Sequence, residues 1–324
     1  MPTPTTHTHA FRAMNCQMAA WVCTDDAHRA RAALRAVERW MQRVERELSR
    51  FRPDSDLSRL NAAAGRPYRA GELLWQVTQQ ALAWAEATDG VFDPTIGRAL
   101  AAAGYDRSFE TLTHDPHPAD DANARTPAPA QPPAAWRDIH LDPATRAITL
   151  PPGVQLDLGG VAKGWAADRA LNMLKPLGPA MVDAGGDLAI GDPPPGEAGW
   201  PLAIADPLAP DADLVFLALS NAGLATSGTD HRRWRHRGQQ QHHLIDPQRR
   251  RPARTDILTA TVIASTAAEA DALALMLVVM GLEAAASWLT AHPHIPALLT
   301  LNDGRTYQNP AFARHARAYF PAYA

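Results

Sequence analysis

Leu156-Asp-Leu-Gly-Gly-Val-Ala-Lys-Gly164 reads as a strand that turns through paired glycines into a helix. Neither glycine carries a Cβ, so the backbone can pass close to a neighbouring group. The helix that follows offers unpaired N–H groups and a partial positive charge at its first turn, which favours an anion there. Lys163 can place a cation over a phosphate, and Asp157 can accept a hydrogen bond from a ring or ribose group. Glycine turns before helices are common, so the segment is equally an ordinary tight connection until its neighbours are read.

Working outward, three further segments bring the same kinds of residue. Val182-Asp-Ala-Gly-Gly-Asp-Leu188 again sets a strand against paired glycines flanked by acids. Thr226-Ser-Gly-Thr-Asp230 is followed downstream by His243-Leu-Ile-Asp-Pro247, where His243 and Asp246 bracket a short turn. A histidine near an aspartate can shuttle or orient a proton, although a lone histidine is more often a surface or core residue. Ser265-Thr-Ala-Ala-Glu-Ala-Asp-Ala-Leu273 puts Asp271 on the first turns of an otherwise apolar helix. A carboxylate buried there is costly unless a cation, a cap role or water compensates. A hard divalent ion such as Mg²⁺ suits it, because such ions take carboxylate and carbonyl oxygens together with substrate phosphates.

The rest of the chain frames these segments. Three- and four-residue spacing of Leu34, Val37, Trp40, Met41, Val44 and Leu48 predicts a helix over Ala27–Ser49. A second is expected over Glu72–Thr88, ended by Asp89-Gly90, and others over Ala166–Leu174, Thr266–Met280 and Ala284–Ala291. Thr266 with Glu269 forms a capping-box pattern, and Gly281 marks the stop. Short strands are expected at 139–141, 147–150, 154–158, 180–183, 187–190, 202–205, 215–219, 223–226 and 259–263. Helices and strands mix without strict β-α-β alternation, which predicts an α+β class. The run 114–135, rich in Pro, Ala and Asp, reads as a surface loop within a single domain over 11–324, after a disordered start at 1–10.

Composition narrows the function classes. The chain has 324 residues, 46% hydrophobic and 20% charged, with a formal net charge of −3. No global basic field points to nucleic acid. Cys16 and Cys23 are too few for a disulfide framework and match no zinc spacing. No secretory signal pattern and no apolar run of membrane length stands out, so a cytoplasmic protein without membrane or nucleic-acid partners is expected.

Taken together, these segments resemble the ApbE family of FAD:protein FMN transferases. Phe11-Arg-Ala-Met14, Leu48-Ser-Arg-Phe-Arg-Pro-Asp-Ser-Asp-Leu-Ser-Arg-Leu-Asn61 and Thr88-Asp-Gly-Val-Phe-Asp-Pro-Thr95 also fit, and the matches run in family order from about residue 11 to 281. The resemblance implies an ApbE-like, T-fold-like architecture of mixed sheets and packed helices with an FAD cleft. It implies FAD as substrate, Mg²⁺, and an acceptor protein bearing a Thr/Ser motif. Position by position, it implies that Met14 packs against the dinucleotide and that Phe51 supplies an aromatic face. Val91, Phe92 and Asp93 line the adenine and ribose end, Asp157 and Lys163 contact FAD, and Leu258 closes the pocket. The Gly160 carbonyl and Asp271 hold the metal. His243 lies beside the flavin, and His243 or Asp271 could take the hydroxyl proton.

Three departures stand out. The family's threonine four residues after the metal aspartate is Leu275 here, so one side-chain oxygen is gone, with Thr261 a candidate replacement. Asn15-Cys16 stands for Gly-Thr, and Gln248-Arg-Arg for Arg-Thr-Gly. The sequence therefore leaves open an FAD pyrophosphate hydrolase or a non-catalytic FAD binder. The Arg- and His-rich run 231–243 also leaves open an RNA- or metal-binding loop.

Overall fold

The structure, a computed structural model, describes residues 5–113 and 135–319. In chain order its elements begin with β1 (Thr5–Ala13), β2 (Cys16–Thr24), α1 (Ala27–Leu48), α2 (Asp56–Ala62), β3 (Pro67–Arg69), α3 (Glu72–Ala87), α4 (Gly97–Ala102) and α5 (Phe109–Thr113). There follow β4 (His140–Asp142), β5 (Ala147–Thr149), α6 (Ala162–Leu174), β6 (Ala180–Asp183), β7 (Leu188–Ile190), β8 (Trp200–Asp206), β9 (Ala209–Leu219) and β10 (Ala222–Gly228). The last part holds β11 (Arg233–His236), β12 (Gln239–His242), β13 (Ile245–Asp246), β14 (Arg251–Pro252), β15 (Ile257–Ala264), α7 (Ala267–Met280), α8 (Leu282–Ala291), β16 (Ala297–Leu301), β17 (Thr306–Gln308), α9 (Pro310–Ala313) and β18 (Ala316–Tyr319). The class is α+β. Two compact units share the chain: residues 1–43, 163–230 and 255–324 form one, and 44–162 with 231–254 form the other.

The first unit is built on an eight-stranded sheet in the order β1-β2-β6-β7-β10-β15-β16-β17. Its pairings are antiparallel. Here the expected disordered start is corrected. Residues 5–10 belong to β1, which pairs with β2 through a two-residue loop at Met14 and Asn15, both at positive φ (50° and 60°). A turn with two positive φ angles matches the natural twist of a hairpin. α7 packs along β10 and β15, and at its start nothing larger than hydrogen fits at Gly223. A Cβ there would come 2.1 Å from the Thr266 carbonyl. α7 is apolar on nearly every side and correspondingly buried. A second core of Trp200, Ile204, Leu217, Leu219, Leu224, Ile263 and Phe312 lies where β8 and β9 meet the sheet.

The second unit carries α2–α5, the three-stranded sheet β3-β5-β4 and the hairpins β11-β12 and β13-β14. The strand expected at 154–158 is absent. Asn61 replaces a strand neighbour: its amide donates to the Leu156 carbonyl (2.9 Å) and its Oδ1 accepts the Leu156 N–H (2.8 Å). The Asp157 N–H goes to the Pro94 carbonyl (2.8 Å). With these backbone groups satisfied by a side chain and a loop, no ladder forms. Except for Ala135, the Pro- and Ala-rich run 114–135 lies outside the described residues. Among the described residues no helix is long and apolar enough to cross a membrane.

Candidate active site

In the first unit, three motif segments meet at one point. Lys163 comes from the first turn of α6, Asp187 from the glycine turn between β6 and β7, and Asp271 from the second turn of α7. The Lys163 ammonium is ion-paired with Asp187. It also stands 3.6 Å from Asp271 Oδ2. Both carboxylates are buried, at 2% and 3% exposure. Two acids therefore face one cation. Asp271 Oδ2 is buried with no hydrogen-bond partner among the described residues. Burial first, and the neighbouring negative charge of Asp187 second, push the Asp271 carboxyl up to about 8. The one nearby ammonium, Lys163, which it shares with Asp187, does not offset this.

That shortage fits a hard divalent ion. Among the described residues no group of three or more His, Cys, Asp or Glu side chains is placed to bind a metal. An ion at Asp271 would fill its remaining positions with main-chain oxygens, phosphate and water, as Mg²⁺ does. Leu275, four residues on in α7, brings no oxygen. Thr261 does not replace it. Thr261 pairs with Thr226 across the sheet, their hydroxyls 2.8 Å apart. Strand alternation puts Thr226 on the face opposite Gly223, away from α7. Leu258 is buried in β15, and Met14 sits half-buried in the β1–β2 turn.

The second unit holds a different arrangement. Asp157 accepts from Arg50 Nε (2.5 Å) and from the Gly159 N–H (2.9 Å). The Arg50 guanidinium lies over the rings of Phe51 (4.2 Å) and Tyr105 (4.7 Å). Tyr105 in turn packs on Trp234. Phe51 is 37% exposed, high for a phenylalanine, so its ring offers surface to a ligand. Arg50 Nη2 is buried with no hydrogen-bond partner among the described residues.

Phe92 and Asp93 are buried, and Val91 is half-buried. Asp93 Oδ1 accepts from the Thr95 N–H (2.7 Å) and hydroxyl (2.6 Å), while Oδ2 faces Arg250 at 3.6 Å. The Asp93 side chain is thus engaged in holding its own turn. Asp246 is likewise engaged, accepting the N–H groups of Gln248 and Arg249. His243 is half-buried just after β12. Gly160 lies in the turn before α6.

A model of the ApbE family matches residues 13–299. The chain belongs to the ApbE family. It is 32% identical over 294 residues to a Treponema pallidum protein named FAD:protein FMN transferase, covering 85% of this chain and 78% of that one. The crystal structure of the ApbE protein of Thermotoga maritima superposes with a TM-score of 0.81 at 27% identity, over 97% of this chain and all of the other. The apo flavinyl transferase ApbE of Pseudomonas stutzeri shares the fold, with a TM-score of 0.79 at 23% identity, over 99% of each chain.

Within this ApbE-family chain, the segments read from sequence divide between the two units. Lys163, Asp271, Leu258 and Met14 fall in the first; Phe51, Val91, Phe92, Asp93, Asp157, Gly160 and His243 fall in the second. Two partners escaped sequence reading: Asp187, the second acid of the glycine-doublet segment, and Arg50, adjacent to Phe51. Both lay inside quoted motifs. Their pairing across 24 and 107 residues leaves no local signal.

Proposed function

We propose that this chain is an FAD:protein FMN transferase that moves FMN from FAD onto a Thr or Ser hydroxyl of an acceptor protein and releases AMP, with Mg²⁺ at Asp271. One observation carries the reading: two buried carboxylates share one lysine, and Asp271 Oδ2 has no hydrogen-bond partner among the described residues. The name of the Treponema pallidum relative supports the same activity. The family match runs through both units, which supports treating 11–324 as one functional domain.

In the reaction, the acceptor oxygen bonds to the FMN-side phosphorus and the bond from that phosphorus to the bridging oxygen breaks. The hydroxyl proton passes to a base, and AMP carries the leaving oxygen away. When bound, Mg²⁺ neutralises pyrophosphate charge. Asp271 would hold the ion, and the Gly160 carbonyl would serve as a further ligand. Lys163, oriented by Asp187, offers its ammonium to phosphate oxygens. Phe51 stacks on a ring of FAD, and Met14, Val91, Phe92, Asp93 and Leu258 line the dinucleotide. Asp157, fixed by Arg50, accepts a ligand N–H or O–H. His243 or Asp271 takes the proton.

Incubation with FAD, Mg²⁺ and a protein carrying a Thr/Ser acceptor segment, followed by mass spectrometry, tests this. An FMN adduct on Thr or Ser that does not form when EDTA is present from the start is the expected outcome. FMN and AMP without adduct identifies a hydrolase. Intact bound FAD identifies a binder, and no retained FAD rejects the reading.

A further inference from the structure

An α-helix begins with four N–H groups that have no partner in the helix. At the start of α7 the Ala267, Ala268 and Glu269 N–H groups are satisfied, by two different parts of the chain. Thr266, the N-cap, accepts the Glu269 N–H on its hydroxyl (3.2 Å) and the Ala270 N–H on its carbonyl (3.1 Å). The first two N–H groups go elsewhere. Ala267 donates to Asp168 Oδ1 (2.9 Å) and Ala268 to Asp168 Oδ2 (3.0 Å). Asp168 is on α6, 99 residues earlier than Ala267. Both oxygens of one half-buried carboxylate thus bind the positive end of another helix.

This tie joins the two helices that carry Lys163 and Asp271. Asp168 lies five residues beyond Lys163 in α6, and Asp271 four residues beyond Ala267 in α7, about 7 Å and 6 Å along the respective axes. The backbones also touch there. A Cβ on Gly164 would stand 2.5 Å from the Ala267 carbonyl oxygen and 2.8 Å from the Ala268 nitrogen. From the sheet side, Gly223 closes on Thr266 in the same way. Contact at Gly164 and Gly223 stops α7 from moving closer, and Asp168 stops it from moving away. Burial lifts the Asp168 carboxyl above its ordinary range, against the pull of the Ala268 and Ala267 N–H groups. A carboxylate drawn out of water holds such a place when its oxygens are matched by donors.

We propose that Asp168 is a positioning residue: by holding the first turn of α7 against α6, it sets the placement of Asp271 relative to Lys163 and thereby the strength with which Asp271 holds a divalent cation. The cation part rests on the function proposed above; the tie between helices does not. A partner behind a metal ligand, when removed, costs about 10–100-fold in metal affinity.

The test compares Asp168→Asn, Asp168→Glu and a control, Asn309→Ala. Asn309 caps α9 in the same unit, accepting the Phe312 N–H (3.0 Å). Hydrogen exchange is read on peptides covering 265–272, and Mg²⁺ alone is titrated by thermal shift. Asp168→Asn is expected to speed exchange at Ala267 and Ala268 at least about tenfold and to raise the Mg²⁺ midpoint about 10–100-fold. Asp168→Glu, with its carboxylate one methylene further out, falls between. Asn309→Ala lowers Tm and leaves the Mg²⁺ midpoint in place. An Asp168→Asn protein that loses Tm as the control does, with an unmoved midpoint, makes Asp168 a plain structural cap and overturns the proposal. Where Asp168→Asn does not fold, Asp168→Glu decides: a shifted midpoint supports positioning and an unmoved one overturns it. If the wild-type chain ignores Mg²⁺, the proposed function falls. Exchange then decides the helix tie, and wild-type exchange rates at Ala267 and Ala268 in Asp168→Asn overturn it.

Discussion

Asp157 and Lys163 are six residues apart in the chain, and each ends in an ion pair, yet the two pairs are built differently. Asp157 meets Arg50 one to one, with the guanidinium laid over two aromatic rings. Lys163 meets two carboxylates, both more deeply buried than itself. The first pair is balanced in charge as it stands. In the second, two buried acids share one ammonium in a site nearly closed to water, and ionising both is costly, which is why the Asp271 carboxyl is pushed up. On the function proposed above, the first pair positions a ligand-facing acid and the second takes a cation. The same nine-residue motif thus supplies an acid paired with one arginine at one end and a lysine shared by two acids at the other.

Substitutions can break this contrast. Lys163→Met should have the largest effect, because it leaves Asp187 and Asp271 buried against each other with no cation. A loss of about 3–5 kcal/mol is expected from urea unfolding, partly recovered by saturating Mg²⁺. Without such recovery, the two acids do not share a cation site. Arg50→Lys should cost less, about 1.5–3 kcal/mol, since an ammonium cannot reproduce the planar fork stacked on Phe51 and Tyr105. Added Mg²⁺ should leave that loss unchanged, and a rescue would erase the distinction between the two pairs. Leu275→Thr sharpens the comparison from the other side. It returns an oxygen one turn after Asp271, and a fall of about fivefold in the Mg²⁺ midpoint is expected, roughly 1 kcal/mol. A midpoint that stays put would place Leu275 outside the ion's reach.

Much of the frame was legible. α1 and α7 follow from apolar spacing, and α7 also from its Thr266 cap and Gly281 stop. Glu269 departs in detail from the reciprocal capping box, accepting the Ser265 N–H (3.1 Å) in place of the Thr266 N–H. β6, β7 and β10 were visible as short apolar runs beside glycines, and β15 as the run Thr259–Ile263. The β1–β2 hairpin was not. Thr5-Thr-His-Thr-His-Ala10 alternates weakly in hydrophobicity, and its turn is made by Met14-Asn15 with no glycine to signal positive φ. The strand expected at 154–158 failed because Asn61, 95 residues away from Leu156, supplies its hydrogen bonds. The chemical residues were legible as types, and their partners were not. Nothing local links Lys163 to Asp187, Asp157 to Arg50, or Asp168 to the amides of Ala267 and Ala268, because each link closes a loop that only the folded chain forms.

The central claim is that the excess carboxylate at Asp271 holds a divalent cation. Titrating Mn²⁺ into the FAD-saturated protein and following free Mn²⁺ by electron paramagnetic resonance tests it directly, in the wild type and in Asp271→Ala. One tight Mn²⁺ per chain, lost in Asp271→Ala while FAD stays bound, is the predicted result. Equal Mn²⁺ binding by both proteins would contradict it.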